Sequence, residues 1–174
     1  MPDLQPTLRG ELLLLRPLRP GDFDELYAVA SDPLIWEQHP ASDRHLEPVF
    51  RDFFRVGLAS GGAFAVLDAA DGRIIGSSRY WGYDPGRSEI EIGWTFLARR
   101  YWGGRYNGEM KRLMLDHAFG FVDRVVFVVG PANWRSRKAV EKIGGVLDGV
   151  RVDPETGRET VVYALTRDAW ERAR

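Results

Sequence analysis

The stretch Arg99-Arg100-Tyr101-Trp102-Gly103-Gly104-Arg105-Tyr106-Asn107-Gly108-Glu109 limits the possible folds more than any other part of the chain. Ahead of it, Glu89 to Leu97 reads as a strand. Behind it, Met110, Leu113, Met114, His117 and Phe121 recur at the spacing of a helix face. Arg124 to Val129 then forms a short, continuous β-branched run, the pattern of a central strand buried on both faces. Strand, helix and strand in this order imply local parallel pairing through a right-handed crossover. A turn through glycines into a helix leaves backbone N–H groups unpaired at the positive end of the helix dipole, where a phosphate or pyrophosphate is favoured. The same glycines would also serve an ordinary loop that needs positive φ. Neither the dinucleotide fingerprint nor the P-loop fits, because no third glycine falls at the required offset and no Gly-Lys-Ser/Thr follows.

The rest of the chain supplies the partners of that unit. Glu11 to Arg19 is a strand that Pro17 and Pro20 confine to an edge or an end, and Gly21 to Glu25 opens a helix with Asp22 as N-cap, ended by Asp32-Pro33. Leu34 to Arg44 has no period and holds Trp36, Glu37, His39 and Pro40; Leu46 to Leu58 is helical again. After Gly61-Gly62, the runs Ala63 to Asp68, Arg73 to Tyr83 and Glu89 to Leu97 form a meander. Pro131-Ala132-Asn133 starts a helix over Trp134 to Ile143 that Gly144-Gly145 stops. Strands Val146 to Val152 and Arg158 to Leu165 flank a turn at Asp153 to Gly157, and Thr166 to Arg174 is a polar tail helix. The expected fold is α+β in three layers: one domain over residues 1–174, with a mixed, mostly antiparallel sheet of six to seven strands and helices on both faces.

Composition removes several classes of function. With 24 basic and 25 acidic residues the formal charge is -1, which gives no global pull toward nucleic acid or an anionic membrane. Cysteine is absent, so there is no disulfide framework, thiolate metal site or Cys nucleophile, and no metal is expected. Met1 to Gly10 lacks the succession of a signal peptide, and the longest apolar run, Leu12 to Leu15, is far shorter than the ~20 residues that span a bilayer. The expected location is the cytoplasm.

Two blocks of residues resemble a known family. Arg100-x-x-Gly103-x-Arg105 resembles the Gln/Arg-x-x-Gly-x-Gly/Ala signature of the GNAT N-acetyltransferases, and Trp102-Gly103 with Glu109 resembles their RimJ/RimL-like branch. Asn133-x-x-Ser136 followed by Lys142-x-Gly144 is similar to a second block of that branch. The resemblance implies a GNAT-like sheet and binding of acetyl-CoA. The diphosphate would lie on the turn (Arg100, Trp102, Gly103, Gly104, Arg105, Tyr106, Asn107, Gly108) and the pantetheine would enter a gap between the fourth and fifth strands, along Ile92, Gly93, Trp94 and Thr95, with Asn133 and Ser136 facing it. Backbone N–H groups of this strand would also hold the charge that develops on the thioester oxygen. Two positions depart from the family pattern: Arg105 stands where Gly or Ala is usual, and Val140 where many members place a Tyr acid.

The implied activity is transfer of an acetyl group from acetyl-CoA to a primary amine, on a protein N-terminus or a small molecule, by direct attack in a ternary complex. Alternatives are an acyl-CoA-binding protein without turnover and, on the basic clusters alone, an RNA-associated protein. An alkyl amine of pKa about 10.4 is almost wholly protonated at pH 7, so a base is useful, whereas a thiolate leaving group near 8.5 needs less help. Glu91 is the first candidate base, with an exposed strand acid as the plainer reading; Glu155 and Glu159 are alternatives, and His39 could relay a proton. Ser136 is the candidate hydroxyl near sulfur or a helix-turn cap, Asn133 a pantetheine contact or an N-cap, and Gly93 a bulge or a point of close ligand approach. Arg99, Arg100, Arg105, Lys111, Arg135, Arg137 and Lys138 are candidate phosphate contacts. Trp36, Glu37, His39 and Trp81, with Tyr83, are candidates for an aromatic and acidic acceptor pocket, with a packed loop anchored by Trp36 as the plainer reading. The expected partners are acetyl-CoA and an amine acceptor; a homodimer is allowed but nothing in the residues argues for one.

Overall fold

The computed structural model describes residues 1–154 and 156–173. Its strands are β1 (Leu8–Arg9), β2 (Leu13–Pro17), β3 (Ala63–Asp68), β4 (Ile74–Asp84), β5 (Glu89–Leu97), β6 (Arg124–Val129), β7 (Val146–Val152) and β8 (Glu159–Thr166). The helices are α1 (Phe23–Ala30), α2 (Glu47–Ser60), α3 (Tyr106–Ala118), α4 (Trp134–Lys142) and α5 (Arg167–Ala173). All strands join one sheet in the order β1-β2-β3-β4-β5-β6-β8-β7, antiparallel throughout except for β5 and β6. The sheet therefore has eight strands rather than six or seven. The extra one is β1, whose two residues are too few to show any alternation.

Alternation along β3 shows how the layers are built. Phe64 and Val66 pack on one face with Met110, Met114, Leu115 and Ala118 of α3; Ala63 and Ala65 pack on the other with Leu26 of α1 and Phe50 and Phe54 of α2. A period of two along the strand thus divides the helices between the faces. Asp22 does not cap α1 with its side chain. Its carboxylate pairs with Arg16 at 2.9 Å and accepts the Arg19 N–H at 2.8 Å, closing the 3-10 turn Pro20–Asp22 instead. Glu109, in the first turn of α3, accepts the backbone N–H groups of Glu11, Leu12 and Leu13 at 2.9, 2.8 and 2.8 Å, fastening the start of β2 to α3.

Two irregularities in the sheet shape the site. The β5–β6 ladder holds only Glu89↔Arg124, Ile90↔Val125 and Glu91↔Val126. Past Glu91, β5 stays paired with β4 alone and β6 with β8 alone, and the strands part. On the other side of β5 the register moves from Arg79↔Gly93 to Ser77↔Phe96, so Trp94 and Thr95 together oppose Ser78. That is a β-bulge, and Trp94 occupies the left-handed region at φ 53. The bulge expected at Gly93 is thus present one residue further on. Because β1 adds a strand to the count, the parting falls between the fifth and sixth strands of this sheet.

Candidate functional site

The space between the parted strands is a cavity of about 980 Å³. Its walls are the bulged half of β5, the end of β6, the first turn of α4, the loop from Ile35 to Arg44, and the β7–β8 hairpin at Asp153 and Glu159. Of the residues expected to hold acetyl-CoA, Ile92, Gly93, Trp94, Thr95, Trp102, Gly103, Asn107, Asn133 and Ser136 line it. Arg100, Gly104, Arg105, Tyr106 and Gly108 do not, and belong to the rim of the adjoining turn.

That turn is built for its position. Arg99–Tyr101 makes a 3-10 turn, Gly103 takes φ 73, where a side chain would be strained, and α3 begins at Tyr106. No side chain caps α3, and the N–H groups of Tyr106, Asn107 and Gly108 find no acceptor among the described residues. Open donors at the positive end of a thirteen-residue helix suit a diphosphate. Trp102 donates Nε1–H to the Leu97 carbonyl at 2.9 Å, and Arg135 of α4 stacks on its ring at 3.9 Å, bridging the mouth.

Most of the basic residues expected at the phosphates are engaged elsewhere. Arg99 pairs with Asp32, and Arg100 donates to Tyr101 Oη at 2.9 Å. Arg135 donates to the Ile35 carbonyl at 2.8 Å, and Arg137 to Tyr163 Oη at 3.0 Å and the Pro131 carbonyl at 2.8 Å. Arg105 and Lys138 remain exposed and unpaired among the described residues. Lys111 is not at the phosphate turn. It is buried in the cavity wall, donating Nζ–H to Thr95 Oγ1 at 2.8 Å, and Thr95 shares a second hydrogen bond of 2.8 Å with Ser78. No carboxylate pairs with it among the described residues, and burial pushes its pKa down to about 7. The spacing held a sign of this, since Leu115 and Ala118 continue a buried stripe that begins at Lys111.

Glu91 lines the cavity where the β5–β6 ladder ends. Burial pushes its carboxyl up to about 7, against the pull of Arg151 and Arg79. A Cβ at Gly93 would stand 3.3 Å from Glu91 Oε2, so glycine there keeps the carboxylate clear. Glu89 is occupied by Arg124, whose Nε donates to it at 2.7 Å. Glu159 is exposed at the cavity edge, and Glu155 lies outside the described residues. Asn133 accepts the Ser136 N–H at 3.4 Å and so caps α4, while both residues also face the cavity; Val140 is buried beside them.

Of the acceptor candidates, Trp36, Glu37 and His39 line the cavity and Trp81 does not. Trp36 is also the loop's anchor, buried with Nε1–H donated to the Ala30 carbonyl at 2.8 Å. Trp81 lies exposed on β4, edge-on to Trp94 at 6.5 Å, and Tyr83 packs on Phe121 at 5.6 Å. His39 is held neutral at pH 7: burial, then Arg44 and Arg135, lower its pKa to about 3, which works against the proton relay expected of it. The sequence reading left Arg44 out of the site, yet it lines the cavity beside His39.

The fold recurs in known structures. No curated protein matches the chain in sequence. Among solved structures, a GCN5-related N-acetyltransferase from Brucella melitensis superposes with a TM-score of 0.83 at 22% identity, covering 96% of this chain and 81% of that one. The acetyltransferase from Agrobacterium tumefaciens str. C58 gives 0.73 at 28%, with 93% and 95% covered. RimJ of Mycobacterium smegmatis, in complex with CoA-disulfide, gives 0.70 at 20%, with 94% and 87% covered. A family model, the acetyltransferase (GNAT) domain, matches residues 13–146. That match takes in the parted strands, the glycine turn and the whole of α4, and the chain belongs to the GNAT acetyltransferase family.

Proposed function

We propose that this chain is a single-domain N-acetyltransferase of the RimJ/RimL-like kind, moving acetyl from acetyl-CoA directly to a primary amine. The observation that carries the reading is Glu91: a half-buried carboxylate, its pKa raised to about 7, at the point where a sheet opens beside an uncapped helix. The N–H groups at the start of α3 and the side chain of Arg105 take the diphosphate. Unpaired backbone of β5 from Ile92 to Thr95 lies along the pantetheine, and its N–H groups polarise the thioester carbonyl. Glu91 accepts the proton the amine loses as the C–N bond forms and the C–S bond breaks. Ser136 offers its hydroxyl to the departing thiolate. Lys111 and Thr95 supply donors to the wall of the same channel. That RimJ of the same fold is found in complex with CoA-disulfide supports a CoA ligand for this cavity.

A thiol-release screen with acetyl-CoA and a panel of amines, repeated on Glu91→Gln and Ser136→Ala, tests the reading. Amine-dependent release should fall by roughly 10²-fold or more in Glu91→Gln, the scale of lost general-base catalysis, with CoA binding retained. Tight CoA binding with no release across the panel would leave an acyl-CoA-binding protein instead.

A further inference from the structure

Two guanidinium groups share one ring. Arg44, in the loop before α2, lies 4.6 Å from the centroid of Phe53, and Arg79 of β4 lies 5.5 Å from the same centroid. Arg79 is 4% exposed, 4.4 Å from the ring of Trp94, and opposite Gly93 in the ladder. Neither arginine meets a carboxylate at ion-pair distance among the described residues; Glu91 and Asp43 reach them only by longer-range attraction. Arg79 makes no hydrogen bond there, and its Nε is buried without an acceptor.

His39, the side chain at hydrogen-bond distance from Arg44 among the described residues, is no acceptor either. His39 Nε2 lies 3.4 Å from Arg44 Nη1, but His39 Nδ1 already accepts the Ala41 N–H at 2.9 Å. The ring is neutral, so its proton sits on Nε2 and faces the guanidinium as a second donor. Arg44 thus lines the cavity with its donors unused among the described residues. Burial first and the charge of Arg79 second lower its pKa to about 10, the mark of two like charges in one desolvated corner. Buried charges are normally paired, and what this corner lacks is an anion.

We propose that the acceptor is a small amine that also carries a negatively charged group, a carboxylate or a phosphate, and that Arg44, backed by Arg79, binds that group. This rests on the acetyltransferase reading of the same cavity. It replaces the cationic acceptor suggested by Trp36, Glu37 and Trp81, since Glu37 is exposed and Trp81 lies outside the cavity. Planar guanidinium forks bind carboxylate and phosphate oxygens in pairs, and the rings of Phe53 and Trp36, with centroids 4.6 and 5.6 Å from Arg44, support its guanidinium at the cavity wall.

The test is thiol release from acetyl-CoA with matched acceptors: amino acids and aminoalkyl phosphates, against the corresponding amides and amino alcohols, a diamine and a neutral peptide N-terminus. The anionic amines should win in kcat/KM by roughly tenfold or more, the worth of one charge-assisted hydrogen bond, with the carboxylate and phosphate arms deciding which anion is taken. Arg44→Gln should erase that preference and Arg44→Lys keep part of it, both melting within a few degrees of the parent. Equal or better use of the amides, the diamine or the peptide, or a preference that survives Arg44→Gln, overturns the proposal. Should no amine release thiol, calorimetry on the CoA-loaded protein separates the two ideas. Anionic amines that bind, and bind roughly tenfold more weakly to Arg44→Gln, uphold this corner while the transferase reading falls; no binding overturns both.

Discussion

At the scale of residues, two groups near pH 7 face one cavity for the same reason and with opposite sign. Burial raises Glu91 to about 7 and lowers Lys111 to about 7. For Glu91 the base is the ionised form, so kcat/KM should climb with pH through about 7 to a plateau, and the limb should vanish in Glu91→Gln. For Lys111 the folded state gives up a proton that the unfolded chain keeps up to the ordinary lysine value of 10.5. Stability from this group is therefore highest above that value, declines as pH falls toward about 7, and is flat below. Lys111→Met should raise Tm at pH 6 by a few degrees, while raising KM for acetyl-CoA through the lost donor; a calorimetric scan and a Michaelis series check the two halves. Glu91, Ser136 and Asn133 were legible in the sequence because they sit in or beside a spaced motif. Arg44 and the true place of Lys111 were not, because whether a cation is desolvated depends on elements other than its own, such as β4 for Arg44 and β5 for Lys111.

At the scale of elements, the bounds of β3, β5, β6 and β7 follow from residue pattern and turn residues, β6 from its continuous β-branched run, and the structure keeps them. The length of a ladder is another matter. Nothing in Glu89–Leu97 or Arg124–Val129 says that their pairing stops at Glu91↔Val126, since register is a property of two strands together. The bulge was half visible: Gly93 drew attention to the right place, but the left-handed residue is Trp94, held by the rings and the guanidinium around it. A non-glycine residue there costs about 1 kcal/mol relative to glycine. Trp94→Gly should thus be more stable than Trp94→Ala by about that amount in urea titrations, although both lose the same stacking. Equal stabilities would mean that the bulge relaxes once the indole is gone.

At the scale of the whole molecule, the sheet is the frame and the cavity is a fault in it. A ligand that pairs with the unmatched backbone of β5 adds interactions the unfolded chain does not make. Saturation with CoA at about 100 times its Kd should stabilise the fold by about 2.7 kcal/mol, or roughly 5–10 °C in Tm for a chain of this size, and Glu91→Gln should keep that shift while losing turnover. The three-layer architecture was readable from element order and from which residues alternate, as along β3. The cavity was readable only through the resemblance of its motifs, since it exists where pairing fails. The clasp on Glu109 carries a consequence for synthesis. The carboxylate that secures Glu11, Leu12 and Leu13 lies 98, 97 and 96 residues further along. As the polypeptide leaves the ribosome, β2 can find β3 early, but the clasp on Glu11 to Leu13 cannot close until α3 has emerged.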